Sequence, residues 1–481
     1  MPTSPLAADV AARPPAGASA ALTLTPGKPL QDLIAALLRA EVRTDGIDLL
    51  PKDCALYVAG VDSWLDAFGA AHLLGKRLGQ TVAVAVPPAA LRGGAGAFLK
   101  VQSTVGPPPD AWLARCMQHA DGTPPLPLLA PVLGGDAEAV RSAAQWAIDA
   151  AARATSGQPL WVAPMNLTTQ PGRDAVALLE ACAQRFADGT LTPRAATGEA
   201  LSPGSPWAAD TALDLCAGQA LEAGDWLRQA ADDADAASRT ARAVAGLAQT
   251  LEHAIANRAT LHFEHVLAAL LRHMPARRFT EWQFRCQAFL LARALDQAGR
   301  VRRHPRLAGH YAELIYEDDG PDVAALLDQA VNDGLVRRDG ATYVRAPEPP
   351  AAAAPDHTGR NRRPTYRLAA TAEQAPGLAA AARGLARQPH RVSNWRVRRI
   401  FQEADMRRFE DDYARYWHED LSKGPEVGRP FLLQPWRPRA GVVLAHGYMS
   451  APLEVRALAQ HLYARGYAVY GVRMKGHGTS P

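Results

Sequence analysis

The sequence predicts an α/β protein, and three observations predict it. Short apolar runs alternate with helically spaced segments from Ala55 to Ala163. From Ala236 to Gly299 the pattern changes to helices only, and a strand–helix–strand unit spans Gly441 to Val472. Alternating strands and helices imply a sheet that is at least partly parallel, because parallel neighbours need a crossover long enough to hold a helix.

Taken in order, residues 29–42 have helical spacing, and Ala55 to Ala59 is a short apolar run that reads as a buried strand. A helix from Trp64 to Leu78 and a strand from Thr81 to Val86 follow. Gly96 to Gln102 reads as the next strand, and Pro159 to Ala163 as another after a long Ala-rich helix. Leu261 to Met274 sets Leu267, Leu270, Leu271 and Met274 on one helical face, and Asp322 to Asp333 is a further helix. The β-prone runs Leu335 to Arg338 and Thr342 to Arg345 flank Asp339-Gly340, a hairpin signature. A charged helix is expected from Trp395 to Trp417.

At 481 residues the chain holds roughly two to four domains. Its 48% hydrophobic and 21% charged residues suit a soluble globular protein. Fifty-two basic residues against 48 acidic ones leave +4, which gives no argument for a nucleic-acid partner. The five cysteines are scattered without a C-x-x-C pair, so neither a zinc site nor a disulfide framework is expected and a reducing cytoplasm fits. No run of about 18 uncharged apolar residues occurs, so no spanning helix is expected.

The expected division is a disordered Ala/Pro/Ser-rich tail at 1–28, an α/β domain at 29–235, and a helical region with a C-terminal hairpin at 236–346. A linker and charged helix at 347–427 then lead to the start of a final domain at 428–481.

In that final domain the apolar run Gly441 to Ala445 is followed at once by His446-Gly447-Tyr448-Met449. An amphipathic helix from Pro452 to Gly466, a strand from Tyr467 to Val472 and a loop from Arg473 to Ser480 complete a βαβ unit. Its sharp turn lies where open α/β sheets hold ligands. The blocks V-L-A-H-G-Y-M-S-A-P and G-Y-A-V-Y-G-V-R-M-K-G-H-G-T-S-P resemble the entry to carboxylesterases and monoacylglycerol-lipase-like α/β-hydrolases. That resemblance makes the Tyr448 backbone N–H the first oxyanion donor, with His446, Gly447 and Met449 forming the turn. It assigns His477 to the G-H-G loop. A Rossmann-like βαβ unit is the alternative. The nucleophile elbow G-x-S-x-G occurs nowhere in the 481 residues, so the hydrolase domain is expected to be truncated here, and neither Ser450 nor Ser480 stands at a strand-to-helix elbow.

Near the N-terminus, the strand Leu56 to Ala59 runs into Gly60-Val61-Asp62-Ser63-Trp64-Leu65-Asp66. This resembles the first motif of glycerol-3-phosphate and phospholipid acyltransferases, H-x-x-x-x-D. In that motif the His deprotonates the acceptor hydroxyl and the Asp orients it. Asp66 matches the Asp, but Val61 stands in place of the His, and a valine cannot take a proton. Gly96 to Lys100 resembles the second motif, and Leu215 to Leu221 with Asp225 to Leu227 the late strand. Ala256 to Met274 resembles the helical tail, whereas Trp161 to Pro164 lacks the Glu and Arg of the third motif.

Together the two resemblances imply an acyltransferase-like α/β domain with a helical tail, degenerate in its motifs, followed by the first part of an α/β-hydrolase domain. The expected activity is serine esterase or lysophospholipase chemistry on acyl esters or lysolipids, without metal or organic cofactor. A working acyltransferase and a non-enzymatic lipid or membrane adaptor are the alternatives. The expected location is the cytoplasm. Contact with the inner face of the membrane would run through Arg360, Arg362, Arg363 and Arg367 together with Arg391, Arg396, Arg398 and Arg399 beside Trp395. The helix and hairpin at 322–345 resemble a winged-helix wing, but the helix is acidic-leaning and no nucleic acid is expected. His262, His265 and His273 share one helical segment without the Glu or Cys that would complete a metal site.

Overall fold

A computed structural model of the chain describes residues 21–37, 42–91, 94–118, 126–154, 159–169, 213–231, 235–299, 301–309, 311–316, 323–347, 364–373 and 377–478, with 184, 185, 188 and 375. Arg360, Arg362, Arg363, Cys182, Asp322, Ser480 and residues 1–20 of the expected tail lie outside the described residues. The chain divides into two compact units, Met1–Arg387 and Gln388–Pro481.

The first unit begins with β1 (Leu22–Pro26), α1 (Lys28–Leu37), β2 (Val42–Asp45), β3 (Leu56–Val61), α2 (Trp64–Leu78) and β4 (Ala83–Val86). It continues through α3 (Gly94–Val101), β5 (Ser103–Gly106), α4 (Pro109–Gln118), β6 (Leu128–Leu133), α5 (Ala137–Arg153), β7 (Trp161–Thr169), β8 (Leu213–Ala217) and β9 (Leu221–Glu222). These strands form one mixed sheet, β2-β8-β7-β3-β6-β4-β1-β5, with β9 on β7. The centre, β7-β3-β6-β4, is parallel. The class is therefore α/β, as expected. Strand β3 is buried on both faces, and its period-2 alternation divides it between two cores. Tyr57, Ala59 and Val61 pack on the side of α1 and α2. Leu56 and Val58 pack on the other side with α4, α5, α6 (Ala223–Gln229) and α7 (Ala236–Ala256).

Two expectations are corrected here. Gly96 to Gln102 is not a strand but lies largely in α3. Gly96, Phe98 and Leu99 are buried while Ala97, Lys100 and Val101 are exposed, a helical rather than an alternating pattern. Leu22–Pro26, assigned to the tail, is strand β1. It is inserted antiparallel between β4 and β5 with Thr23 and Leu24 fully buried.

After α7 the chain forms β10 (Thr260–Leu261), α8 (Phe263–His273), β11 (Arg278–Phe279), α9 (Glu281–Ala298), β12 (Arg302–Arg303), α10 (Val323–Asn332), β13 (Val336–Asp339) and β14 (Thr342–Arg345). The hairpin β13–β14 forms with Gly340 at φ 61°, and β11 joins it in the order β11-β14-β13. In sequence these elements run helix, strand, two helices and hairpin, α8-β11-α9-α10-β13-β14, with β12 between α9 and α10. The stretch expected as linker is in part helical: α11 (Pro364–Glu373) and α12 (Leu378–Arg387) pack on α8 and α9 of this same unit. Arg272 meets Glu373 at 2.9 Å, and Gln287 donates to the Leu385 carbonyl at 3.0 Å.

The second unit comprises α13 (His390–Tyr416), α14 (Pro425–Gly428), β15 (Phe431–Leu433), β16 (Gly441–Leu444), α15 (Arg456–Ala464) and β17 (Ala468–Gly471). Its sheet runs β15-β17-β16, with β16 parallel and β15 antiparallel to β17. Gly466, at φ 86°, follows the last turn of α15 as the C′ residue. Among the described residues of either unit, no helix is long and apolar enough to cross a membrane.

Candidate functional site

Strand β16 ends at Leu444, and the chain turns at the carboxyl end of a parallel pair. His446 is buried at the base of this turn, while Tyr448 and Met449 are 91% and 86% exposed at its tip. Ser450 N donates to the Gly447 carbonyl at 3.2 Å, which closes the turn. Met449 is left at φ 57°, where a residue with a Cβ is strained. The backbone amides of Tyr448 and Met449 donate to no acceptor among the described residues. Two free N–H groups at such a turn can stabilise the negative charge of an acyl-transfer intermediate.

The loop after β17 braces the turn. His446 Nδ1 lies 3.2 Å from its neighbour's carbonyl at Gly447, and Nε2 accepts from Met474 N at 3.4 Å. These two contacts fix the ring between the turn and the loop, so His446 acts as a structural strut. His477 donates from Nδ1 to the Ser450 carbonyl at 3.3 Å, its ring 5.1 Å from that of His446. Arg473 holds the loop to α13. Its Nε donates to the His477 carbonyl at 2.9 Å, a terminal nitrogen lies 2.9 Å from Asp412 Oδ2, and the guanidinium sits 5.5 Å from the Phe409 ring. Tyr470 adds a hydroxyl bond to Asp405. Beside these groups is a cavity of about 460 Å³ walled mostly by charged residues, among them Arg408, Asp411 and Lys475, with Pro430 the one apolar residue of its lining.

No protein-family model matches this chain, and no curated protein or solved structure is significantly similar to it. The chemistry of each site therefore stands on its geometry.

The N-terminal motif is placed where a strand-delivered site belongs, at the carboxyl end of β3. Val61 is the last residue of the strand and sits in the apolar core. Ser63 caps α2, its Oγ accepting from Asp66 N at 3.1 Å and donating to Asp66 Oδ2 at 2.7 Å. The Asp66 carboxylate therefore faces a capping serine instead of an imidazole. Asp62, which precedes Ser63, accepts from Thr371 of α11 at 2.8 Å. Trp161 to Pro164 lies in the interior strand β7, and Asp225 to Leu227 in α6.

The structure also gathers a group that no spacing in the sequence announces. Asp214 on β8, His262 at the N-cap of α8, His265 and His304 are all at most 5% exposed. His262 Nε2 lies 3.3 Å from Asp214 Oδ2 without hydrogen-bond alignment, and its ring stacks on His304 at 4.4 Å. The His262 amide donates to His265 Nδ1 at 3.2 Å. Burial first, and the neighbouring His262 second, push His265 down to about 3 and His304 down to about 4. Among the described residues, the Nε2 atoms of all three histidines lack a hydrogen-bond partner. His273, the third histidine of the sequence grouping, is elsewhere, 3.0 Å from Glu373. Among the described residues no set of His, Cys, Asp or Glu is arranged to hold a metal ion.

On α13, Arg391, Arg396, Arg398 and Arg399 are all exposed, with Trp395 half-exposed between them. Arg399 stacks on Trp395 at 5.4 Å and pairs with Glu403 at 2.6 Å. Arg367 falls within α11, and its side chain lies outside the description.

Proposed function

We propose that the protein is a serine esterase or lysophospholipase acting on acyl esters, whose second unit supplies the oxyanion half of the active site. The observation that carries this reading is the pair of unengaged amides at Tyr448 and Met449, held at the carboxyl end of β16 by the His446–Met474 strut. In an acyl-transfer reaction these amides would take up the charge on the carbonyl oxygen, a contribution worth about 10²–10³ in kcat per donor. The serine nucleophile comes from a segment outside residues 1–481, because no G-x-S-x-G lies within them. The first unit is an acyltransferase-like α/β region that keeps Asp66 and has Val61 in place of a base. The exposed arginines around Trp395 suit contact with an anionic membrane surface at the cytoplasmic face, where a lysolipid substrate would reside.

The test is fluorophosphonate labelling of the protein as its gene encodes it, paired with hydrolysis of short acyl esters and lysophospholipids. The expected result is one labelled serine within a G-x-S-x-G sequence. Tyr448→Pro, which deletes one donor, should lower kcat by about 10²–10³-fold with little change in KM. No labelled serine, or acyl transfer from a thioester to glycerol 3-phosphate that is lost in Asp66→Ala, would overturn the reading.

A further inference from the structure

The short parallel pair β10–β12 ties the helical region of the first unit to its sheet. Thr260 N of β10 donates to Thr168 Oγ1 of β7 at 2.9 Å, and Arg302 of β12 pairs with Asp45 of β2 at 2.7 Å. The buried group of Asp214, His262, His265 and His304 lies along this seam. Asp214 comes from β8 of the sheet, and the three histidines come from the helical region.

Two of these rings hold backbone amides, and a backbone N–H can only donate. His265 Nδ1 accepts from the His262 amide at 3.2 Å, which closes the N-terminus of α8. His304 Nδ1 accepts from the Arg306 amide at 3.3 Å, while its own amide donates to the Leu261 carbonyl of β10 at 2.9 Å. Each ring therefore needs a lone pair at Nδ1, which only the neutral imidazole has. A proton added there sets a donor against a donor, and the bond is lost. The charges around the rings also disfavour a cation. Beside burial and His262, Arg43 and Arg306 push His304 down, and Asp214 opposes them. Asp45 is already taken by Arg302, and Cys216 lies 3.7 Å from the Thr260 hydroxyl. Glu264 acts the other way: burial pushes its carboxyl up, so the closed seam keeps that proton and gains as the pH falls. Two imidazoles pushed down against one carboxyl pushed up leave opening as the net result.

We propose that this seam is an acid-sensitive latch, in which protonation of His265 and His304 at Nδ1 breaks both amide bonds and frees β10, β12 and the first turn of α8 from the sheet. The sheet itself stays folded, because its two apolar cores are built without histidine. Opening brings Asp214 of β8 and Thr168 of β7 into contact with solvent. The latch lies within the first unit and does not depend on the hydrolase reading.

Hydrogen–deuterium exchange of the full chain at pH 7.5 and pH 5.0, corrected for the pH dependence of chemical exchange, tests this. Once released, each ring titrates near its ordinary value and favours opening by up to about tenfold per pH unit below it. Protection of residues 259–266 and 301–307 should fall at least about tenfold at pH 5.0, while that of residues 56–61 in β3 stays within about threefold. His304→Asn and His265→Gln each keep an acceptor oxygen for the same amide without a titrating ring. Each should recover at least about threefold of the lost protection. Equal seam protection at both pH values, a parallel loss in β3, or the full loss persisting in both variants would each overturn the proposal. Should one variant fail to fold at pH 7.5, the other variant and the comparison of seam with β3 in the parent protein decide.

Discussion

Asp412 on α13 and Arg473 in the loop after β17 lie 2.9 Å apart, with the Arg473 side chain only 7% exposed and that of Asp412 26%. This pair makes a helix that reads as a charged connector in the sequence into a wall of the second unit. Arg473→Met would leave Asp412 half-buried without its cation and free the His477 carbonyl. We expect a loss of about 1–3 kcal/mol, read as a lower urea midpoint at constant m-value. Asp412→Asn retains an acceptor oxygen and should cost less.

Met449 sits at φ 57°. Met449→Val, which puts a β-branched side chain into the left-handed region, should destabilise the turn by roughly 1–2 kcal/mol. Met449→Gly relieves the strain but gains freedom in the unfolded chain, so its stability should change by less than about 1 kcal/mol. Thermal melts of the two variants beside the parent protein provide the check.

Stability should depend on pH through His265 and His304. Their folded values, about 3 and about 4, lie below the ordinary 6.5, so the unfolded chain binds more protons between those limits. Stability is then fully present above pH 6.5 and lost as the pH falls toward 4. Melting temperatures from pH 7.5 down to 4.5 should drop, and His304→Asn should flatten that slope. An unchanged slope in His304→Asn would assign the acid sensitivity to other groups.

Ser63→Ala removes the cap of α2 and the hydroxyl that donates to Asp66. A loss of about 1 kcal/mol is expected, with ester hydrolysis unaffected. Ser63 follows a strand and opens a helix, so this variant also shows by its activity whether that serine acts as a nucleophile.

Gly60 is required by close packing on β3. A Cβ there would come within 2.6 Å of Asn166 Nδ2 and 2.7 Å of Ile255 Cγ2. Gly60→Val should cost about 1–3 kcal/mol, visible in denaturant titration.

Much of the architecture was legible because its signals are local. The apolar run of β3, the helical spacing from Trp64 and the Asp339-Gly340 hairpin each lie within a few residues. The apolar run Gly441 to Ala445 is equally local, and β16 ends within it at Leu444. Four features were not legible. The run Gly96 to Val101 is short and apolar, and periodicity cannot separate a strand from a helix over so few residues. The Leu22-Thr23-Leu24-Thr25 alternation was present, but the Ala/Pro-rich composition before it outweighed four residues of pattern. The Asp214–His262–His304 group joins residues far apart in sequence, through β8, the N-cap of α8 and the residue after β12. No spacing rule reaches across such distances. The helices α11 and α12 were hidden by the Pro-rich stretch that precedes them.

The position of β1 also bears on how the protein is made. Leu22–Pro26 leaves the ribosome before its neighbours β4 and β5, whose last paired residue is Gly106. At ~5–20 residues per second, the nascent strand waits several seconds with its edges open before a partner emerges. During that interval it can be captured by a chaperone or by another nascent copy. A fusion tag that occupies this strand would therefore act on yield before it acts on the finished fold.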